Sequence, residues 1–379
     1  MRLLGPRRRA LWPPPEPQTG NFHAEGTVAH VQYVPVEEVT SLQHRLLVAS
    51  LHSLSREARE LADQASLICE SLASEAPAAG AVAHVAARSV PRWHFAMLND
   101  TERNTALVEA MERVLPVGAT VLEIGSGSGL IAMAAIRAGA GRVLTCEANP
   151  LLAEIARQNI DAHGMSEAIT VISKPSYLLE VGRDLPAPVD VLVSEIVDCG
   201  LIGEGLLPSI RHARAHLLAH GGLMLPSAAR LHGQLVHSEA VLALNRVDKA
   251  SEFDVSLMNT VATSGHFPVR LNTWPHRMMS RQARLVEFDL SRGPLDPGAR
   301  QVSFEATADG EAHGLAAWFE LDLGGGITLS NAPQNTASHW MQAMALFDTP
   351  VPVRAGENVS VHLRWSDYRL SIDQKGLRQ

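Results

Sequence analysis

Between residues 47 and 72 the apolar positions alternate at spacings of four and three: Leu47, Leu51, Leu54, Ala58, Leu61, Ala65, Ile68 and Leu72. That pattern draws one apolar stripe along a helix of about seven turns. Such a helix either packs on the body of the protein or meets a partner, a second copy of itself included. The stretch SEAPAAGA at 74–81 reads as a linker. From about residue 117 short apolar runs alternate with helical ones. Thr120–Ile124, Arg142–Cys146, Ala168–Ser173 and Val189–Ser194 read as strands. A helix is expected around 129–139, and Pro150 suits the start of another, where its missing N–H costs nothing. Strands separated by helices make a parallel, doubly wound sheet. After about residue 226 the helical period disappears. Gln301–Ala306 and Asn358–Leu363 alternate in and out between Gly and Pro, as in an antiparallel sheet or barrel.

The expected architecture is therefore α/β followed by β. A Rossmann-like doubly wound domain spans 86–226 and an antiparallel β-barrel domain 227–379. Ahead of them lie a helical extension with its linker, 23–85, and a disordered proline-rich tail, 1–22.

Composition narrows the function classes. The 379 residues carry a formal net charge of -8, which disfavours a nucleic-acid binder and favours cationic partners. Cys69, Cys146 and Cys199 are scattered, form no metal-ligand spacing and fit reduced thiols in a cytoplasm, so no metal is expected. The basic N-terminus lacks the apolar run of a secretory signal. No uninterrupted apolar stretch reaches the ~18 residues of a membrane span.

The sharpest local motif is Glu123-Ile-Gly125-Ser126-Gly127-Ser-Gly129, which follows a strand and opens a helix. Glycines let backbone N–H groups approach a ligand at the carboxyl edge of a sheet. The spacing is GxGxG rather than the GxGxxG of dinucleotide pyrophosphate sites. Glu147 ends the next strand and can accept both hydroxyls of a ribose. Together these features resemble the first two motifs of class I S-adenosylmethionine methyltransferases. Glu123, Gly125, Ser126, Gly127, Gly129 and Glu147 are accordingly the candidate cofactor contacts.

After the fourth strand comes Ser194-Glu195-Ile-Val-Asp198-Cys-Gly-Leu-Ile-Gly-Glu204-Gly. In doubly wound sheets ligands sit at the strands' carboxyl ends, so Glu195 and Glu204 should face the cofactor's methyl group. Two carboxylates suit a guanidinium, whose planar fork of five donors matches bidentate acids. A guanidinium is charged at ordinary pH and its lone pairs are delocalised. Holding the charge on two nitrogens leaves the third to attack. Asp198 reads as support for the loop and Cys199 as a small loop residue, since methyl transfer needs no covalent intermediate. His94 and His339 read as packing or hydrogen-bonding groups.

These residues resemble the protein arginine methyltransferase family. The loop SEIVDCGLIGEG is similar to that family's two-acid loop. Arg92-Trp-His-Phe-Ala-Met97-Leu98-Asn-Asp100-Thr-Glu-Arg103-Asn104 resembles its Met-Leu-x-Asp-x-x-Arg segment. The resemblance implies that Arg103 contacts the cofactor's carboxylate, that Met97 lines its pocket and that Lys174-Pro-Ser176 meets its adenine. Ser338-His339-Trp340 is similar to the family's Thr-His-Trp loop, which closes the arginine pocket. The wording looks most like the subgroup of members seven and nine, which implies monomethylation of a protein or peptide arginine. Two departures stand out: those members carry two modules per chain, and Trp93, His94 and Phe95 replace the family's tyrosines ahead of Met97. A single module implies a symmetric homodimer, with an arm at about 245–285. Two other readings remain: a methyltransferase with a non-arginine or small-molecule acceptor, and a non-catalytic cofactor-binding scaffold.

Overall fold

The computed structural model describes residues 41–72 and 86–373. The proposed tail at 1–22 and the linker at 74–81 lie outside the described residues. Two compact units divide the chain, one ending at Pro77 and the other beginning at Ala78. Helix α1, Ser41–Leu72, belongs to the first and runs for 32 residues.

In the second unit, α2 (Trp93–Leu98) and α3 (Thr101–Val114) precede the sheet. Asp100 begins α3 as its cap, accepting from the Arg103 backbone N–H at 2.9 Å. Strands β1 (Thr120–Ile124), β2 (Arg142–Cys146), β3 (Ile169–Ile172), β4 (Val189–Ser194) and β5 (Leu218–Leu225) follow. They pair in parallel in the order β3-β2-β1-β4-β5. Between them run α4 (Leu130–Arg137), α5 (Pro150–Ala162) and α6 (Leu206–His216). Pro150 does occupy the first turn of α5, and the Asn149 side chain caps it by accepting from Leu151 and Leu152. Strand β5 escaped the pattern reading. Its sequence LAHGGLML carries two glycines and buries only its last two residues, so no alternation marks it.

Register, more than strand order, builds the site. Ile124 stands opposite Cys146 on one side and opposite Ser194 on the other. The next residue along each strand is Gly125, Glu147 or Glu195. The chain thus delivers the glycine turn, the first acid and the two-acid loop at one level.

The remainder is antiparallel. Strand β6 (Ala228–His237) pairs with β13 (Gly310–Gly324) along nine residue pairs, Gly314 to Asp322. Strand β13 continues to β15 (Gln342–Val353), and β15 to β9 (Phe267–Val269). A separate sheet holds β12 (Gly298–Glu305), β16 (Asn358–Trp365) and β17 (Leu370–Asp373). The expected barrel is thus three antiparallel sheets: the three-stranded one, a seven-stranded one that also takes in β10 (Arg277–Met278), β11 (Ala283–Asp289) and β14 (Ile327–Ser330), and the pair β7 (Lys249–Ala250) and β8 (Phe253–Asp254). Helix does not vanish after residue 226 either: α7, Glu239–Leu242, follows a Ser238 cap. One continuous apolar core runs from Leu107 and Val121 under the parallel sheet to Phe319 and Leu363 under the antiparallel ones. No helix among the described residues is long and apolar enough to cross a membrane.

Candidate active site

A cavity of about 600 Å³ opens at the carboxyl ends of β1, β2 and β4. Of the residues singled out in the sequence, Met97, Arg103, Gly125, Ser126, Gly127, Glu147, Ser176, Glu195, Glu204, His339 and Trp340 line it. Glu123, Gly129 and Ser338 do not. Glu123 lies beneath the turn, with one oxygen accepting from the Thr145 hydroxyl and the other without a partner. Burial pushes its carboxyl up to about 8. Gly129 starts α4, and Ser338 accepts from the Trp340 N–H at 3.2 Å.

The turn needs its glycines. Gly125 has φ +92°, and a Cβ there would stand 2.8 Å from Ile196 Cγ2. Gly127 has φ +50°, another conformation that side chains disfavour, and the space beside it is open. The Gly127 N–H donates to Glu147 Oε2 at 3.0 Å, while Glu147 Oε1 accepts from Asn149 N at 2.9 Å. Each oxygen keeps a lone pair for a further donor. An adenosine fits this donor set: paired acceptors for ribose hydroxyls, an uncovered glycine cradle and a mostly apolar floor that includes Ile131 and Leu152.

The acids of the loop differ. The Arg103 Nε donates to Glu195 Oε2 at 2.7 Å, and Nη2 donates to the same oxygen. Both side chains are 3% exposed. Burial pushes the Glu195 carboxyl up, and Arg103 pulls it back without cancelling the rise. Among the described residues Glu204 has no such partner. Glu204 is exposed as a residue, yet protein atoms crowd its carboxyl at the cavity mouth, and that desolvation, then the charges of Glu195 and Asp198, raise it to about 7. Asp198 Oδ1 accepts from Gly203 N at 2.9 Å and braces the loop. Burial holds the Cys199 thiol at about 12, so no thiolate forms there near neutral pH.

The antiparallel part grips this loop from outside. Trp340 Nε1 donates to the Val197 carbonyl at 3.1 Å, and the ring meets Phe319 edge-on at 5.1 Å. Asp100 Oδ2 accepts from both the backbone N–H and Nδ1 of His339, each at 2.8 Å. Burial raises Asp100, but the Arg103 and His339 donors outweigh it and leave the carboxyl below its ordinary value. Burial lowers the His339 ring's pKa and so favours the neutral form, which donates from Nδ1 to the Asp100 carboxylate. One carboxylate thus ties the Trp340 loop to the helix that carries Arg103.

Sequence reasoning missed His266, Pro268 and Tyr368, which complete the wall near Glu204. Nothing local marks them, because two sheets must fold before they approach the loop. Glu102 accepts from Asn335 at 3.1 Å across to the antiparallel part. Trp93 and His94, in place of the family's tyrosines, stack at 3.8 Å and line the cavity. Phe95 is exposed.

Over 333 residues the chain is 66% identical to the Arginine N(omega)-methyltransferase of Streptomyces achromogenes subsp. streptozoticus, covering 87% of this chain and 91% of that protein. The chain belongs to the protein arginine methyltransferase family. It is an S-adenosylmethionine-dependent arginine N-methyltransferase. Residues 227–373 match the arginine methyltransferase oligomerization subdomain, and residues 102–225 match the ribosomal protein L11 methyltransferase (PrmA) family. Protein arginine N-methyltransferase 1.6 of Arabidopsis thaliana is 31% identical over 70% of this chain and 41% of that protein. Protein arginine N-methyltransferase 7 of Oryza sativa subsp. indica is 33% identical over 63% of this chain and 36% of that protein. The arginine methyltransferase spans less than half the length of both plant relatives. The fold is similar to that of the Trypanosoma brucei PRMT1 enzyme-prozyme heterotetrameric complex with AdoHcy, with a TM-score of 0.66 and 24% identity over 76% of this chain and 93% of that one.

Proposed function

We propose that the enzyme places a single methyl group on an ω-nitrogen of arginine carried by a protein or peptide, giving monomethylarginine, with Glu195 and Glu204 as the guanidinium clamp. The observation that carries this reading is the pair of acids from one loop lining the same cavity as the glycine turn. When bound, S-adenosylmethionine supplies an electrophilic methyl group. Glu147 takes the ribose hydroxyls on its two free lone pairs, and Arg103 reaches the amino-acid end of the cofactor. Met97, the glycines from Gly125 to Gly129, Ser126 and Ser176 shape the rest of that pocket. Glu195, fixed by Arg103, and Glu204 hold two guanidinium nitrogens, which leaves the third with its lone pair free to point at the methyl carbon. Placing it there supplies most of the rate gain. As the new N–C bond would form, the methyl–sulfur bond would break with its electron pair left on the neutral thioether, and the attacking nitrogen would shed a proton. The Glu204 carboxyl, near 7, is matched to receive it and pass it to water. Ser338, His339 and Trp340 hold the outer side of the loop.

One observation favours a second acceptor. The name of the Streptomyces relative specifies arginine without specifying a protein. Labelled cofactor offered with free arginine, an arginine-rich peptide and its lysine copy decides between them. Peptide labelling lost in the lysine copy supports the first reading; labelling of free arginine alone moves the acceptor to the amino acid. Equal labelling of arginine and lysine copies would remove the guanidinium clamp altogether. Chromatography after exhaustive turnover tests the product, and a dimethylated species would overturn monomethylation.

A homodimer through the arm completes the reading. Phe253, Leu257, Met258 and Val261 are all more than half exposed there, Phe253 at 74%. A strict and active monomer at micromolar concentration would refute it.

A further inference from the structure

Helix α1 presents an apolar seam that nothing in the catalytic reading uses. Leu47, Leu51, Leu54 and Leu61 range from 45% to 62% exposed, and Ala58 and Ala65 on the same seam are exposed too. Ile68 and Leu72 continue the seam in sequence. The eight positions hold a seven-residue repeat without a break, and no Gly or Pro interrupts the 32 residues. A helix this long, about 48 Å, draws little stability from propensity alone; packing of its apolar face supplies most of it.

We propose that α1 pairs with α1 of a second copy of this chain as an antiparallel two-helix coiled coil. Side-chain volume selects both the partner and the direction. In a parallel pair each seam residue faces itself, so Leu51 meets Leu51 while Ala58 meets Ala58 and Ala65 meets Ala65. Those two alanine layers leave gaps that a packed interface does not tolerate. In the antiparallel pair with its two-fold axis between Ala58 and Leu61, Leu54 is layered with Ala65 and Ala58 with Leu61, and helix positions 47 and 51 stand level with positions 72 and 68. Both alanines then receive a leucine. The positions flanking the seam, including Ser50, Val48, Ser55 and Ala62, are uncharged apart from Glu57, so no row of like charges opposes the approach.

Charge points the same way more weakly. Residues 41–56 carry Arg45 and Arg56, a net of +2. Residues 57–72 carry Arg59 against Glu57, Glu60, Asp63 and Glu70, a net of −3. Antiparallel pairing sets the basic half beside the acidic one. Most of these charges fall at outer positions of the repeat, where salt screens them across the pair, so they bias the direction while the seam provides the attraction.

The test is a disulfide trap in the full-length chain carrying Cys69→Ser. Burial holds the Cys146 and Cys199 thiols near 12, which keeps both out of the exchange at neutral pH. With Leu54→Cys and Ala65→Cys together, mild oxidation should convert most of the chain to a covalent dimer on a non-reducing gel. The two sites are 11 residues apart on one helix, about 16 Å, so they cannot bridge within a chain. Either single variant should yield at least tenfold less dimer. Adding Leu51→Glu to the double variant should reduce the dimer at least tenfold, while retained methyl transfer to arginine certifies the fold. Efficient trapping of the single variants would overturn the antiparallel direction. Absence of trapping in the double variant, with methyl transfer intact, would overturn the pairing itself.

Discussion

The cofactor side and the acceptor side of the cavity are built by different means. On the cofactor side, the end of β1 and the end of β2 are adjacent strands in register, and the glycine turn and Glu147 contact each other directly. The contact between the turn and the acid spans only 20 positions of chain, with Met97, Arg103 and Ser176 added from either side. On the acceptor side, Glu195 is held by Arg103 across 92 positions and the loop is gripped by Trp340 across 143. The first side is a local device that a parallel sheet supplies by itself. The second exists only after both halves have folded onto one core. Damage should accordingly be sharp and confined on the first side and graded on the second.

The largest effect should come from the acids. Glu204→Gln and Glu195→Gln each remove one half of a clamp and leave a buried cation uncompensated, a cost of about 3–5 kcal/mol. That corresponds to about two to four powers of ten in kcat/KM for arginine. Calorimetry with S-adenosylhomocysteine should find affinity for Glu204→Gln near that of the parent. Retention of most activity by both variants would break the clamp. Next is Gly127→Leu, which places a side chain in the open cradle and at a positive φ costing roughly 1–2 kcal/mol. Cofactor binding should weaken by about 100-fold or more, while the melting temperature shifts by only a few degrees.

Legibility in the sequence follows the same division. The strands ending at Ile124, Cys146 and Ser194 could be read because buried parallel strands are short apolar runs, and register then fixes their tips. Glu147 and the two-acid loop were legible for that reason. The pairing of Arg103 with Glu195 was not, because the sequence assigns one to the cofactor and the other to the acceptor. In the fold they neutralise each other, which leaves Glu204 as the acid raised to about 7. His266, Pro268 and Tyr368 were invisible, since β9 and the turn before β17 carry no motif. Strand β5 was missed because its glycines and exposed residues hide its period.

Asp100 connects the two sides and should yield a mixed effect. Asp100→Ala removes the cap of α3 and the one oxygen that accepts from both His339 donors. Buried hydrogen bonds of this kind are worth about 1–3 kcal/mol when one partner is left unsatisfied. A loss of kcat/KM of about 10- to 100-fold is expected, with a lowered melting temperature, in contrast to the confined loss at Gly127. An unchanged melting temperature would mean that the Trp340 loop does not depend on this tie.

The pH profile carries the comparison into the free enzyme. The Glu204 carboxyl sits near 7, above its ordinary value, so it is protonated below that pH and ionised above it. Only the ionised acid attracts a guanidinium. Thus kcat/KM for arginine should rise with pH up to about 7 and then level off, a change of about tenfold between pH 6 and pH 8. The Glu204→Gln variant should lose this limb. An identical limb in the variant would assign the titration elsewhere.

The smallest effect is expected at Glu102, and it sharpens the division most finely. Asp100 and Glu102 sit two residues apart at the start of α3, and both reach across to the antiparallel part. Asp100 is 5% exposed and satisfies two donors of His339. Glu102 is exposed and among the described residues its one hydrogen-bond partner is Asn335, whose amide also donates to the Ser330 carbonyl at 2.9 Å. After Glu102→Ala, water and Ser330 satisfy what Glu102 held, so stability should change by no more than about 0.5 kcal/mol and activity by less than about threefold. The same span of chain, crossing the same gap, should therefore differ in consequence by about threefold or more between two acids. If Glu102→Ala damaged the enzyme as severely as Asp100→Ala, attachment of the outer loop would depend on the number of crossings rather than on their burial.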